Sequence, residues 1–124
     1  MNGFTLDTGA LIALERQRQR AKKLVARALE DRLAVTVPAD VVGEWWRGRT
    51  DAREQILAGA TVEPLTVQLA KVAGEALAAV KGATLVDAIV MASAASRGDL
   101  VLTSDVSDLE KLRKVFPSVR VLGV

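Results

Sequence analysis

The sequence predicts one α/β domain over residues 1–124, a short, mostly parallel sheet flanked by helices on both faces. Three observations lead there. Short runs of β-branched and aliphatic residues alternate with stretches of helical periodicity along the whole chain. The changes between them are marked by capping residues, by Pro38 and by glycines. No repeat or low-complexity linker divides the chain, and a domain near this size removes roughly two-thirds of its unfolded surface from water.

Gly3 to Leu6 reads as a strand, after which Asp7-Thr8-Gly9 opens a helix over the apolar run Ala10 to Leu14. From Arg18 to Arg32, residues Ala21, Leu24, Val25, Ala28 and Leu29 keep helical spacing, so the basic side chains fall on the opposite face. Leu33 to Val37 is a strand stopped by Pro38, which suits the first turn of a helix reaching about Gly48. Asp51 to Ala58 forms a short helix and Thr61 to Pro64 a strand. Thr66 opens a helix whose Leu69, Val72, Ala73, Ala76, Leu77 and Val80 share a face, closed by Gly82. Leu85 to Arg97 is apolar nearly all round, hence a buried helix, and ends at Gly98. Leu100 to Leu102 is a strand, Val106 to Phe116 a helix and Val119 to Leu122 the last strand. Parallel strands joined by helices bind ligands beyond their carboxyl ends, at a topological switch point. Asp7 and Asp105 both occupy such ends.

Composition narrows the chemistry. The chain has no Cys, His or Tyr, which removes disulfides, thiolate and imidazole zinc sites, and the commonest general base. Carboxylate, hydroxyl and amine chemistry remains, and clustered carboxylates are hard oxygen ligands suited to Mg²⁺ or Mn²⁺. Only Phe4, Trp45, Trp46 and Phe116 are aromatic, so Ala, Val, Leu and Ile must build the core. The two tryptophans fit a core or a partner interface better than a base-stacking platform. The first basic residue is Arg16, Asp7 interrupts the opening apolar run, and the most apolar stretch, Thr84 to Ser96, contains Asp87. These features speak against a secretory leader or a membrane span, and a cytoplasmic location is expected. The net charge is only +2, yet Arg16, Arg18, Arg20, Lys22, Lys23 and Arg27 concentrate basic groups early. Such a run either contacts a polyanion, with Arg16, Arg18 and Arg20 as RNA-binding candidates, or is a solvated helix face.

Asp87 stands among Leu85, Val86, Ala88, Ile89 and Val90, where an ionised carboxylate needs a cation, hydrogen bonds or protonation. A metal or a helix-start capping role would each satisfy it. Asp7 has the same two readings. Glu44, in Val41-Val42-Gly43-Glu44-Trp45-Trp46, is either a site residue or a surface glutamate, and one of Asp105 and Asp108 is expected to cap the following helix.

The joint pattern is more specific than any of its parts. Leu6-Asp7-Thr8-Gly9-Ala10-Leu11-Ile12, Val37-Pro38-Ala39-Asp40-Val41-Val42-Gly43-Glu44-Trp45-Trp46, Val86-Asp87-Ala88-Ile89-Val90-Met91-Ala92 and Leu102-Thr103-Ser104-Asp105 together resemble the PIN-domain family across essentially the whole chain. The match looks best for its VapC-type toxins, metal-dependent endoribonucleases of type II toxin–antitoxin systems. The resemblance implies a PIN-like three-layer sandwich, a catalytic and metal-binding quartet of Asp7, Glu44, Asp87 and Asp105, and supporting hydroxyls at Thr8 and Thr103. Asp108 fits an acid just beyond the fourth position. It also implies a Mg²⁺ or Mn²⁺ cofactor, an RNA substrate, a homodimer and a VapB-type antitoxin whose tail fills the groove. A non-catalytic PIN-fold binding module for nucleic acid or protein is the alternative. A phosphoacceptor receiver domain needs an acidic pair after the first strand and a lysine after the last, and the chain has neither.

Overall fold

The computed structural model describes residues 2–124. Five strands, β1 (Gly3–Leu6), β2 (Ala34–Pro38), β3 (Thr61–Glu63), β4 (Leu100–Thr103) and β5 (Arg120–Gly123), form one sheet in the order β3-β2-β1-β4-β5. Every pairing is parallel, so the sheet is wholly rather than mostly parallel. The chain leaves β1 toward β2 on one side and reaches β4 on the other. The switch point therefore lies at the carboxyl ends of β1 and β4, where Asp7 and Asp105 emerge.

Among the described residues, seven helices flank the sheet: α1 (Thr8–Glu15), α2 (Gln19–Glu30), α3 (Ala39–Trp45), α4 (Asp51–Ala58), α5 (Val67–Ala79), α6 (Leu85–Arg97) and α7 (Val106–Glu110). Their starts follow the capping chemistry. The side chains of Asp7, Thr50, Thr66, Thr84 and Asp105 each accept from a backbone N–H in the first turn that follows. Gly98 ends α6 in the left-handed conformation, at φ 72°. α6 packs against β1, β2 and β4, and α5 packs on α6. Ala88 to Ala94 are all buried, which accounts for a helix without a polar stripe in its middle.

The core joins Leu6, Leu11, Val37, Val41, Ile89, Met91, Leu102, Leu109 and Leu112, all at most 2% exposed. Trp45 belongs to this core at 4% exposed.

Several boundaries differ from expectation. The third helix stops at Trp45, because Trp46 is already extended and Gly48 takes φ 111°. The fifth ends at Ala79, before Gly82. Val106 to Phe116 is not one α-helix: α7 gives way at Lys111–Lys114 to a 3₁₀ turn. There Leu109 and Leu112 are both buried three residues apart, the spacing a 3₁₀ turn aligns, and Pro117 prevents continuation. The strand bounds of β2, β3, β4 and β5 each move by about one residue from those read in the sequence.

Candidate acidic site

Asp7 follows β1 directly and is 8% exposed. One carboxylate oxygen accepts from the Ala10 N–H at 2.9 Å, and the other accepts from the Thr103 hydroxyl. Asp7 is thus both the cap of α1 and a buried acid beside β4. Burial pushes its pKa from 3.8 to about 6; the hydrogen bonds from Thr103 and Ala10 oppose the rise, and the Asp87 charge adds to it. Thr103 is fully buried, and its hydroxyl oxygen also accepts from the Asp105 N–H at 2.9 Å. One threonine therefore ties the ends of β1 and β4 together.

Asp87 lies in the first turn of α6 and is half-buried, so the enclosure expected from its apolar neighbours is only partial. The capping role belongs to Thr84, whose hydroxyl accepts from the Asp87 N–H at 3.2 Å. Burial raises the Asp87 pKa against the Thr84 hydrogen bond, and the charges of Asp108, Glu44 and Asp105 raise it further. Glu44 is exposed on α3 and accepts from the Thr8 hydroxyl at 2.6 Å. Asp105 is exposed and caps α7, with its pKa lowered by hydrogen bonds from the Ser107 hydroxyl and at Asp108. The Asp108 carboxylate is 3.6 Å from the Lys111 ammonium.

The fold thus brings Asp7, Glu44, Asp105 and Asp108 within electrostatic reach of Asp87. Among the described residues, however, no three carboxylates converge closely enough to form a ready-made metal cage. Three of the four matched acids point their oxygens at neutral donors: Asp7 at Ala10 and Thr103, Glu44 at Thr8, Asp105 at Ser107.

The sequence reading left two features unnoticed. Asp40, in the first turn of α3, has both carboxylate oxygens shut from water without a hydrogen-bond partner. Burial raises its pKa, with Glu44 and Glu63 adding to the rise and the nearby N–H groups of Asp40 and Val41 opposing it. Its position two residues beyond the end of β2 was the available signal. The second feature is a partly buried ion-pair network centred on Arg97. Its guanidinium bonds Glu63, Asp99 at 3.0 Å, Thr5 at 2.8 Å and Ser93 at 2.7 Å. Thr5 also donates to Asp99 at 2.9 Å, and Ser93 to Glu63 at 2.6 Å.

The basic segment divides. Arg20 donates to the Gly123 carbonyl at 2.7 Å, against the end of β5. Arg16 and Arg18 line a cleft with Gly9 and Ser104, beside the acids. A further cleft, holding Glu44, Arg16 and Arg47, opens on the other side of α1.

A parallel sheet with carboxylates gathered at its switch point defines an acid-centred α/β domain. The PIN domain family model matches residues 4–115, and the chain belongs to the PIN domain family. No curated protein matches it in sequence. Among solved structures, the chain is similar to the DNA-bound VapBC from Salmonella typhimurium at 20% identity and TM-score 0.70, over 99% of this chain and 98% of that one. It is similar to VapBC2 from Rickettsia felis bound to a promoter DNA fragment, at 11% identity and TM-score 0.75 over 98% of both chains. PAE2754 from Pyrobaculum aerophilum aligns at 19% identity and TM-score 0.60, over 98% of this chain and 90% of that one. These likenesses show the PIN-like three-layer fold. No helix among the described residues is long and apolar enough to cross a membrane.

Proposed function

We propose that the chain is a metal-dependent endoribonuclease, the toxin half of a VapBC-type pair acting in the cytoplasm. The observation that carries this reading is the buried Asp7 carboxylate at the switch point of a PIN domain, its pKa raised to about 6 beside Asp87. Among the described residues no basic side chain forms a salt bridge with this acid, and the groups around it are hard oxygen donors that fit Mg²⁺ or Mn²⁺. Asp7, Glu44 and Asp87 would hold the ion, with Asp105 completing the site or orienting water. Such an ion supplies positive charge at the scissile phosphate and makes water a better nucleophile near neutral pH.

The chain's own groups prepare that chemistry. Thr103 aims Asp7 and fixes the Asp105 backbone, and Thr8 holds Glu44. Asp108, shared with Lys111, adds negative charge beside Asp87. In a chain without His, a carboxylate must accept the proton of the attacking water. Arg16, Arg18 and Arg20 are the RNA-binding candidates that offset the repulsion between acids and phosphates. An apolar groove between α2 and α4, floored by Leu14, Val25, Leu29 and Ile56, suits an amphipathic helix of a VapB-type antitoxin. The same resemblance proposes a homodimer, which sedimentation of the purified protein tests.

Purified protein should cut RNA in Mn²⁺ or Mg²⁺ and not in EDTA, and Asp87→Asn should abolish cutting while remaining folded. A folded wild-type protein that binds RNA but never cuts it would leave the non-catalytic PIN module as the better reading.

A further inference from the structure

The two clefts beside α1 share a wall. The one lined by Gly9, Ser104 and Arg18 has a volume of about 360 Å³, and the one lined by Glu44 and Arg47 about 540 Å³. Both lie in the range of roughly 300–1,000 Å³ typical of ligand sites. Ile12 and Arg16 line both clefts. They are four residues apart, so they form one outward ridge of α1 with a cleft on either side. Each cleft leads to a different edge of the acidic centre: Gly9 and Ser104 adjoin the Asp7 and Asp105 segments, and Glu44 closes the other.

The charges along this ridge are uncommitted. Arg53 is neutralised by Glu15 at 3.0 Å and Arg49 by Asp51 at 3.4 Å. Among the described residues, Arg16 and Arg18 have no carboxylate within ion-pair distance. Arg47 donates only to the carbonyls of Trp46 at 2.7 Å and Gly43 at 3.3 Å, which leaves its charge unpaired. Arg16 and Arg18 are also fixed relative to one another. Gln17 between them sits at φ 56°, a conformation uncommon for a residue with a side chain, and the Gln17 and Arg18 N–H groups bond Leu14 and Ala13 carbonyls at 3.0 and 2.9 Å.

We propose that Arg16 is the central phosphate contact of a single nucleic-acid strand that crosses the outer ridge of α1, gripped by Arg18 in one cleft and by Arg47 in the other. This rests on the reading of the acids as a phosphodiester-cleaving centre, and it replaces a uniform basic face with a track of three guanidiniums that line the two clefts, which Arg20 does not. The ligand chemistry follows from the arrangement. Three guanidiniums without a carboxylate partner, each a fork-shaped donor, suit the successive anions of a phosphodiester chain. By a helix rise of ~1.5 Å per residue, Arg16 stands roughly 13 Å along α1 from Asp7. It therefore binds phosphates away from the reacting one and offsets the repulsion the acids exert on the strand.

The test measures anisotropy of a short fluorescein-labelled oligouridine RNA against salt concentration in EDTA, so that no strand is cut. Single replacements Arg16→Gln, Arg18→Gln and Arg47→Gln should each lower the slope of log affinity against log salt by about 0.7, the value for one phosphate contact on a single strand. Arg16→Gln should weaken binding most, by about tenfold at physiological salt. Arg16→Lys should restore the slope but not the full affinity. Lys71→Gln, an equal loss of charge on exposed α5, should leave the slope unchanged. Arg16 is exposed, so equal melting temperatures exclude unfolding as the cause. Absent RNA binding by the wild type, or an Arg16→Gln slope equal to that of Lys71→Gln, overturns the track; so does an Arg16→Gln effect on antitoxin binding alone, which would make the ridge a protein interface. Metal-dependent cutting with an unchanged slope defeats the track and spares the nuclease reading. Arg16-dependent slopes without any cutting do the reverse.

Discussion

Replacing Asp7 by Asn should stabilise the metal-free protein, and the gain should appear only as pH rises. Asp7 has a folded-state pKa near 6 against 3.8 for the free side chain. Between these values the folded protein holds a proton that the unfolded chain has released, so stability falls as pH rises from about 4 to about 6 and is level beyond. At ~1.4 kcal/mol per pH unit, the displacement amounts to about 3 kcal/mol at neutral pH. Asn removes the charge and keeps the shape. It caps a helix as well as Asp does, so the Ala10 N–H retains its acceptor. The Thr103 hydroxyl, now donating to Asp7, can turn to accept from the amide. Urea denaturation in EDTA should therefore find the two proteins nearly equal at pH 4 and the variant more stable by up to about 3 kcal/mol at pH 7, or roughly 10 °C in melting temperature. Asp87 and Asp40 titrate in both proteins, so the difference between variants reports Asp7 together with its coupling to Asp87. With millimolar Mn²⁺ the order should narrow or reverse, because only the wild type gains from binding by mass action. A variant less stable at pH 7, or a difference that does not change with pH, would refute the electrostatic account of Asp7.

Three other perturbations separate parts of the same centre. Asp87→Asn should lose metal-induced stabilisation and RNA cleavage together while metal-free stability holds or rises, since Asp108, Glu44 and Asp105 no longer face a fourth charge; a folded variant that cuts RNA normally contradicts the assignment. Gly9→Ala should destabilise by about 1–3 kcal/mol in urea, because the new Cβ would stand 2.0 Å from the Ser104 hydroxyl oxygen and 3.0 Å from its backbone N. That clash parts the segments carrying Asp7 and Asp105, so unchanged stability would mean the loop yields more easily than its backbone contact implies. Arg97→Met should cost about 3 kcal/mol or more, since it strands the nearly buried Asp99 carboxylate and frees Glu63; a neutral result in thermal and urea melts would show that water replaces the guanidinium.

Local patterns made most elements legible. The strands could be read because β-branched residues stand between turn and capping residues, and α6 because a helix apolar on every side must be buried. Three of the four candidate acids, Asp7, Asp87 and Asp105, stand in first turns or just after strands, where a short motif describes the local environment, and the choice of all four came from the family resemblance. What escaped the sequence depends on distant partners. Arg97 meets Glu63 across 34 residues and Thr5 across 92, and no periodicity relates such positions. Asp40 looked like an ordinary first-turn acid until the fold closed over both of its oxygens. The basic segment shows another effect of distance. Alternating Arg16, Arg18 and Arg20 look equivalent in one dimension, but the left-handed turn at Gln17 leaves Arg16 and Arg18 on a cleft, while Arg20 turns to the end of β5.

The placement of charge on α6 explains how a buried helix can serve an acidic centre. Its middle, Ala88 to Ala94, admits no polar group except Ser93, which donates to Glu63. Its charges are confined to the ends: Asp87 in the first turn, where the helix dipole favours an anion, and Arg97 in the last, where it favours a cation. The dipole lessens the cost of both, by about 0.3–1 kcal/mol at each exposed end and more when partly buried. The Arg97 end is then locked by two carboxylates and two hydroxyls, whereas Asp87 faces other acids without a compensating cation of the chain's own. One end of α6 is a closed network and the other is an open one. A rigid apolar rod anchored at Arg97 keeps Asp87 among the acids despite their repulsion, which is why loosening the anchor should weaken metal binding as well as the fold.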